Sequence, residues 1–216
     1  MESSFSMDGL RIKSFTLGDF STNAYLVINP QTKNCILIDA PQGIEEVDSF
    51  LKKNGYNLLF VVLTHGHIDH IMGLVKLKSP FYIHHEDREF LANPELNLSS
   101  FLSSSFSLKK IPHLIKDNDK LLLDTYQFHL LHTPGHTPGS ICVFVDNFLF
   151  SGDTLFFGSI GRVDFPYASY DLILASIKNK ILPLGYKVKV FPGHGPSTTL
   201  ERELKNNPFL KECRYT

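Results

Sequence analysis

The chain contains no tryptophan and only three cysteines, Cys35, Cys142 and Cys213. They are odd in number, widely spaced and form no CxxC pair, which argues against a disulfide framework and points to a reducing, cytoplasmic compartment. An excess of either charge is also missing. Lys+Arg is 21 against Asp+Glu 22, a formal net charge of -1, so the broad basic field of a dedicated nucleic-acid binder is absent. The longest apolar runs, such as Leu58 to Leu63, fall far short of a membrane span. Met1 to Phe20 holds one arginine, Arg11, and no extended apolar stretch, so neither a secretory signal nor a transit peptide reads there. Without repeats, linkers or breaks in composition, residues 1–216 are expected to form one domain, a soluble monomer or homodimer without membrane or nucleic-acid partners.

What the chain does have is hydrophobic content of 43% and ten histidines, several beside glycine. Strands are expected at Leu10 to Thr16, Ala24 to Asn29 and Cys35 to Asp39, followed by a helix that places Ile44, Val47, Phe50 and Leu51 on one face and stops at Asn54-Gly55. Leu58 to Leu63 reads as a strand covered on both faces. A helix from Asp69 to about Leu77 and a strand at Phe81 to His84 come next. Further strands are expected at Lys120 to Asp124, Tyr126 to Leu131, Ile141 to Val145, Phe148 to Ser151 and Lys187 to Val190. Ser169 can cap a helix carrying Ile173, Ile177 and Ile181, and Thr198 to Glu201 has capping-box spacing for a last helix. Hairpins mixed with crossovers fit poorly with a purely doubly wound parallel sheet. The serine-rich stretch Leu96 to Lys110, with Phe101, Leu102 and Phe106, is expected to pack on the body, with an apolar lid or dimer patch as the sharper reading.

The chemistry concentrates in Thr64-His65-Gly66-His67-Ile68-Asp69-His70, four metal-ligand candidates directly after a buried strand. His65 and His67 are two apart, so in extended backbone their imidazoles share a side, and Gly66 between them permits a tight approach. Other strands end in loops that offer further ligands: His132 and His136 around Pro134-Gly135, Asp153 in Gly152-Asp153-Thr154, and His194 in Pro192-Gly193-His194-Gly195. A buried Asp153 without a cationic partner would be costly, and metal ions would remove that cost. Histidine and aspartate without cysteine make a nitrogen/oxygen site suited to Zn²⁺, Fe or Mn rather than Cu⁺.

Together these residues resemble the metallo-β-lactamase superfamily: H-x-H-x-D-H, then a histidine, a G-D-T aspartate and a late histidine, over nearly the whole chain from Asp39 to Asn207-Pro208-Phe209-Leu210. The resemblance implies an α/β (α+β) fold, a four-layer αββα sandwich of two mixed sheets with the site at their edge. It implies two divalent metal ions, Zn²⁺ ahead of Fe or Mn. His65, His67 and His136 would hold one, Asp69, His70 and His194 the other, with Asp153 bridging and Asp69 and Asp153 as the catalytic carboxylates. His132 falls outside this set, because the family's ligand immediately precedes Thr137. His84, His85, His113 and His129 have no partner by spacing.

Departures narrow the choice within the superfamily. One zinc β-lactamase subclass has cysteine where Asp153 stands, so antibiotic hydrolysis is disfavoured. His67 separates the chain from the flavodiiron oxidoreductases, and Phe156 from lactonases with tyrosine at that place. Gly158-Ser159-Ile160-Gly161-Arg162 and Pro192 to Thr199 look like short bacterial members of the glyoxalase II (hydroxyacylglutathione hydrolase) branch. The implied activity is hydrolysis of a small-molecule thioester such as S-lactoylglutathione, with Arg162 meeting a substrate carboxylate. A mononuclear iron persulfide dioxygenase, which shares the Gly161 to Phe165 type of segment, and a hydrolase of another ester or lactone are the alternatives. Only 22 residues follow His194, fewer than the helical extension that grips glutathione in the full-length enzymes, so modest discrimination among thiol carriers is expected.

Overall fold

Alternating apolar side chains build the first sheet. In the computed structural model, which describes residues 4–7 and 9–215 with side-chain surroundings for 9–211, strands β1 (Ser4–Met7), β2 (Leu10–Leu17), β3 (Thr22–Ile28) and β4 (Asn34–Ile38) run antiparallel. Cys213 lies outside the described side chains. Helix α1 (Glu45–Asn54) has acidic residues in its first turn and lysines in its last, and Gly55 at φ 67° ends it in the left-handed region. It crosses to β5 (Asn57–Val62), parallel to β4. Helix α2 (Ile68–Ile71), β6 (Phe81–His84) and β7 (His113–Ile115) complete a seven-stranded sheet in sequential order.

The second sheet begins with β8 (Lys120–Leu123), β9 (Tyr126–His132), β10 (Ile141–Val145) and β11 (Phe148–Gly152), an antiparallel meander. A short hairpin, β12 (Leu155–Phe156) and β13 (Ser159–Ile160), and helix α3 (Tyr170–Ser176) intervene. Then β14 (Lys189–Pro192) pairs parallel with β11, β15 (Thr198–Thr199) pairs antiparallel with β14, and helix α4 (Leu200–Asn206) follows.

Period two sorts the apolar residues into three layers. Tyr25, Val27, Ile36, Ile38 and Val62 of the first sheet meet Ile141, Val143, Phe150 and Phe191 of the second. The opposite faces pack outward: Leu26, Leu37 and Val61 against Val47 and Leu51 of α1, and Cys142, Leu149 and Val190 against Ile173, Ile177 and Leu200. This is the expected αββα sandwich.

Local differences have local causes. The helix expected from Asp69 to Leu77 is α2 followed by a 3-10 turn at Met72–Val75, where a Cβ at Gly73 would overlap the Pro41 and Ala40 carbonyls. Ser169 caps α3, accepting from the Leu172 amide at 3.3 Å, but the helix then widens into a π turn at Ile177–Ile181. The last helix starts one residue later than its capping box suggests: Thr199 accepts from the Arg202 amide, while the Thr198 hydroxyl bonds to buried Glu203.

The stretch from Leu96 to Lys110 packs on the body in part, as expected, and in part stands clear of it. Phe106 packs on the outer core of the first sheet, and its backbone is tied to Ser99 and Asn97. Phe101 is 83% exposed. Phe106→Ser is therefore expected to cost about 2 kcal/mol, a little below the cost of emptying a fully buried site, and so roughly 4–8 °C in Tm for a chain of this size. Metal content should not change. An unaltered melting curve would show that Phe106 contributes no packing.

Candidate metal centre

The two sheets meet at one edge, and the loops that leave them there carry the seven expected ligands. His65 and His67 follow β5, Asp69 and His70 lie in α2, His136 follows β9, Asp153 follows β11 and His194 follows β14. The last of these loops is clasped by β3 from the other sheet. The Asn23 amide nitrogen donates to the carbonyls of Pro192 and Gly195 at 3.0 and 2.9 Å, the Tyr25 hydroxyl donates to Pro192 at 2.7 Å, and Thr22 bridges to His194. Gly66 is required where it stands, since a Cβ there would overlap the Phe90 side chain.

Hydrogen bonds at the rear of the imidazoles fix which nitrogen of each faces the centre. Asp39 lies at the end of β4 with φ 60°, a conformation that aspartate tolerates. Its carboxylate accepts from the Thr64 amide, the Thr64 hydroxyl and His70 Nδ1, each at 2.8 Å. Having given its proton to Asp39, the Thr64 hydroxyl accepts from His65 Nδ1 at 3.1 Å. His136 Nδ1 donates to the Arg162 carbonyl at 2.9 Å. Tyr167 gives its one proton to the Leu96 carbonyl at 2.9 Å and so accepts from His67 Nε2 at 2.8 Å. Burial and the Asp87 charge push the Tyr167 phenol well up, which keeps that proton in place.

The nitrogens left over are lone pairs turned inward. His65 Nε2 and His67 Nδ1 face each other at 3.1 Å with no proton between them, a repulsive contact that a cation would relieve. Burial, reinforced by neighbouring imidazoles, holds His65 and His67 well below the usual histidine range, and burial lowers His136. All three are neutral donors. Asp69 and Asp153 are largely withdrawn from solvent, which favours their neutral forms, but His70, His194 and hydrogen bonds, joined by Thr22 at Asp69 and His136 at Asp153, together outweigh that and keep both carboxylates low.

The potential donor atoms fall into overlapping groups within 4.8 Å: His65 with His67 and His136, Asp69 with His70 and His194, and His65 with His70 and Asp153. Asp153 faces both sides. Its Oδ1 lies 3.5 Å from His70 Nε2, and its Oδ2 lies 3.5 Å from His136 Nε2 and 3.6 Å from His194 Nε2. His70 Nε2, His136 Nε2 and Asp153 Oδ1 are buried without a hydrogen-bond partner. Buried polar atoms of this kind demand an explanation, and divalent cations supply one that fits the donor chemistry.

His132 is outside this group, bonding to the Pro138 carbonyl at 2.8 Å and stacking on His84 at 4.0 Å. His84, His85 and Glu86 bring donor atoms together on one turn, an association that their spacing had not suggested. Arg162 lines the cleft, but Asp164 holds it in a two-pronged pair at 3.0 and 2.8 Å.

The orienting residues Asp39 and Tyr167 were not among the sequence candidates. Asp39 carried a usable signal, an aspartate ending a buried strand as Asp153 does. Tyr167 carried none, being 100 positions from His67. Removing its hydroxyl in Tyr167→Phe should lower affinity for the metal beside His67 roughly 10- to 100-fold, with little change in Tm. Competition against a chelator reads this, and unchanged affinity would remove Tyr167 from the centre's support.

Residues 17–194 match the family model of the metallo-beta-lactamase superfamily. The chain is 34% identical over 216 residues to the hydroxyacylglutathione hydrolase GloC of Haemophilus influenzae, covering 93% of this chain and 98% of that protein. Among solved structures it resembles the BLEG-1 B3 metallo-beta-lactamase (39% identity, 93% of this chain and 99% of the other, TM-score 0.87). It also resembles TTHA1623 in a di-iron-bound form (33% identity, 91% and 99%, TM-score 0.81). Ligand order, fold and matched span agree: the chain belongs to the metallo-beta-lactamase superfamily.

Proposed function

We propose that the protein is a metal-dependent hydrolase with a dinuclear centre and that its substrates are thioesters. The observation that carries this reading is Asp153, one carboxylate set between two groups of inward-facing donors. His65, His67 and His136 would hold one cation, Asp69, His70 and His194 the other, and Asp153 both. When bound, such ions supply a nucleophilic hydroxide near neutral pH and polarise the scissile carbonyl. Zn²⁺ suits the donors, and the di-iron form of TTHA1623 gives iron equal standing.

The chain's own residues complete the chemistry. The water oxygen bonds to the thioester carbonyl carbon, the C–S bond breaks, and the sulfur leaves with the bonding pair as thiolate. Asp153 and Asp69 are the carboxylates placed to hold the proton that the water gives up, and it passes to the product thiolate. Thiols have a pKa of about 8.5, so the leaving group needs no strong acid. That suits a cleft whose Tyr167 proton is committed to Leu96 and whose Arg162 is committed to Asp164. The rings of Phe165, 5.3 Å from His67, and Phe156, 6.1 Å from His194, flank the centre.

Elemental analysis should find two metal ions per chain, and the loaded protein should cleave thioesters far faster than matched oxygen esters or amides. One tightly bound iron, with oxygen consumed on persulfides, would overturn the hydrolase reading. A second reading, β-lactam hydrolysis, is favoured by the likeness to BLEG-1. Cephalosporin turnover exceeding that of every thioester would replace the first reading with it.

A further inference from the structure

The cleft over the centre encloses about 1050 Å³, at the upper end of small-molecule sites. It is far larger than a lactoyl group requires. Its walls come from separate parts of the chain, and near the metal ligands they are apolar. Phe165 packs on His67 and His136 at 5.3 and 5.9 Å, and Phe156 packs on His194. Leu96 and Leu102 continue the wall outward, and Phe20 and Phe101 stand at the mouth, 49% and 83% exposed. Exposed aromatic rings gathered at one opening are a binding feature rather than scattered surface.

Charge on the lining is not arranged to hold a thiol that bears two carboxylates. Glutathione carries two carboxylates and an ammonium group, and selective capture of it calls for cations beyond the metal ligands. Among the described residues lining the cleft, Arg162 is the only cation outside the histidines. Its Nε and Nη2 already meet both oxygens of Asp164, and its guanidinium lies 4.6 Å from the Phe165 ring. Apart from Asp164 and the ligand carboxylates Asp69 and Asp153, the remaining charge on the lining is Glu95, also acidic. Binding energy from remote parts of a substrate is what discriminates among substrates, and here the remote surface is hydrocarbon.

We propose that the cleft selects thioesters by an apolar acyl group, aromatic or medium-chain, and holds the thiol carrier weakly, with Phe20 and Phe101 setting the acyl preference. This rests on the thioesterase reading above and specifies the substrate class of that site.

The test uses the metal-loaded full chain and a series of N-acetylcysteamine thioesters from acetyl to octanoyl, with benzoyl and S-lactoylglutathione alongside. kcat/KM should rise roughly threefold to fourfold per methylene, the value of one buried CH₂. The octanoyl and benzoyl compounds should exceed S-lactoylglutathione by at least tenfold. Phe101→Ser and Phe20→Ser should each flatten the chain-length slope. Independently of turnover, a non-hydrolysable octyl thioether of the same thiol should raise Tm more than S-methylglutathione at equal concentration. A flat series, or S-lactoylglutathione preferred with a KM that climbs with salt as a charge-held substrate requires, would overturn the apolar assignment and leave the thioesterase standing. No hydrolysis of any thioester by protein carrying two metal ions would overturn the thioesterase itself.

Discussion

Asp153→Ala is expected to reduce metal content from two ions per chain to one or fewer and to lower kcat/KM about a thousandfold or more. Two divalent ions would bring four positive charges to a site whose proposed ligand carboxylates are Asp69 and Asp153, so the alanine variant would leave one carboxylate to offset them. It also removes the group that faces His70 Nε2 and His136 Nε2 together. A thousandfold corresponds to about 4 kcal/mol, the scale on which a metal ion stabilises developing charge in the transition state. Asp153→Asn keeps the volume and loses the charge, so it should resemble the alanine variant in metal content and separate electrostatics from packing. His132→Asn is the control. His132 lies only four positions from His136 yet bonds to the Pro138 carbonyl, and its variant should keep both ions. Elemental analysis decides the matter: full occupancy in Asp153→Ala, or a missing ion in His132→Asn, would mean that the ligands have been assigned incorrectly.

The parts of the centre that were legible in the sequence are those whose signal is local. His65 and His67 could be placed on one side because a strand alternates faces, and Asp69 and His70 because they open the next helix. His136, Asp153 and His194 each end a strand at a glycine-containing loop, the same signal repeated. The large strands were legible for a similar reason, each presenting an alternating or continuous apolar run. Elements without a run of their own escaped: β12, β13 and β15 have two residues each, and β7 has three, two of them exposed. The orienting bonds escaped for a different reason. Asp39 reaches His70 across 31 positions and Tyr167 reaches His67 across 100, and only the sandwich brings such pairs together. The cleft's character was legible only in part. Phe101 and Phe106 read as a pair in the sequence, but the fold sends one to the mouth and the other to the core.

Asp87 shows how far the centre depends on a residue that is no ligand. It is fully buried in the turn after β6, and its carboxylate accepts from the Gly66 amide at 2.8 Å, the Thr137 hydroxyl at 2.7 Å and the Gly139 amide at 2.6 Å. It therefore joins the loop carrying His65 and His67 to the loop carrying His136, the three histidines assigned to one ion. Burial pushes its carboxyl up to about 6 against those three donors, so at neutral pH it is ionised and serves as a pure acceptor. Asp87→Ala leaves three buried donors unmade together with a void, a loss of about 3–5 kcal/mol. For a chain of this length that is roughly 6–20 °C in Tm. The His65/His67/His136 trio should lose affinity about 10- to 100-fold, as when other supports of metal ligands are removed, while a second ion would rest on Asp69 and His70, which are held by Thr22 and Asp39 instead. Asp87→Asn retains one acceptor but turns an amide NH₂ toward a donor, and it should fall between the two. Thermal melts of the metal-loaded variants and stepwise chelator titration separate these effects. Asp87→Ala with a melting temperature within 2 °C of the parent and two ions of unchanged affinity would show that the two histidine loops hold their register without it.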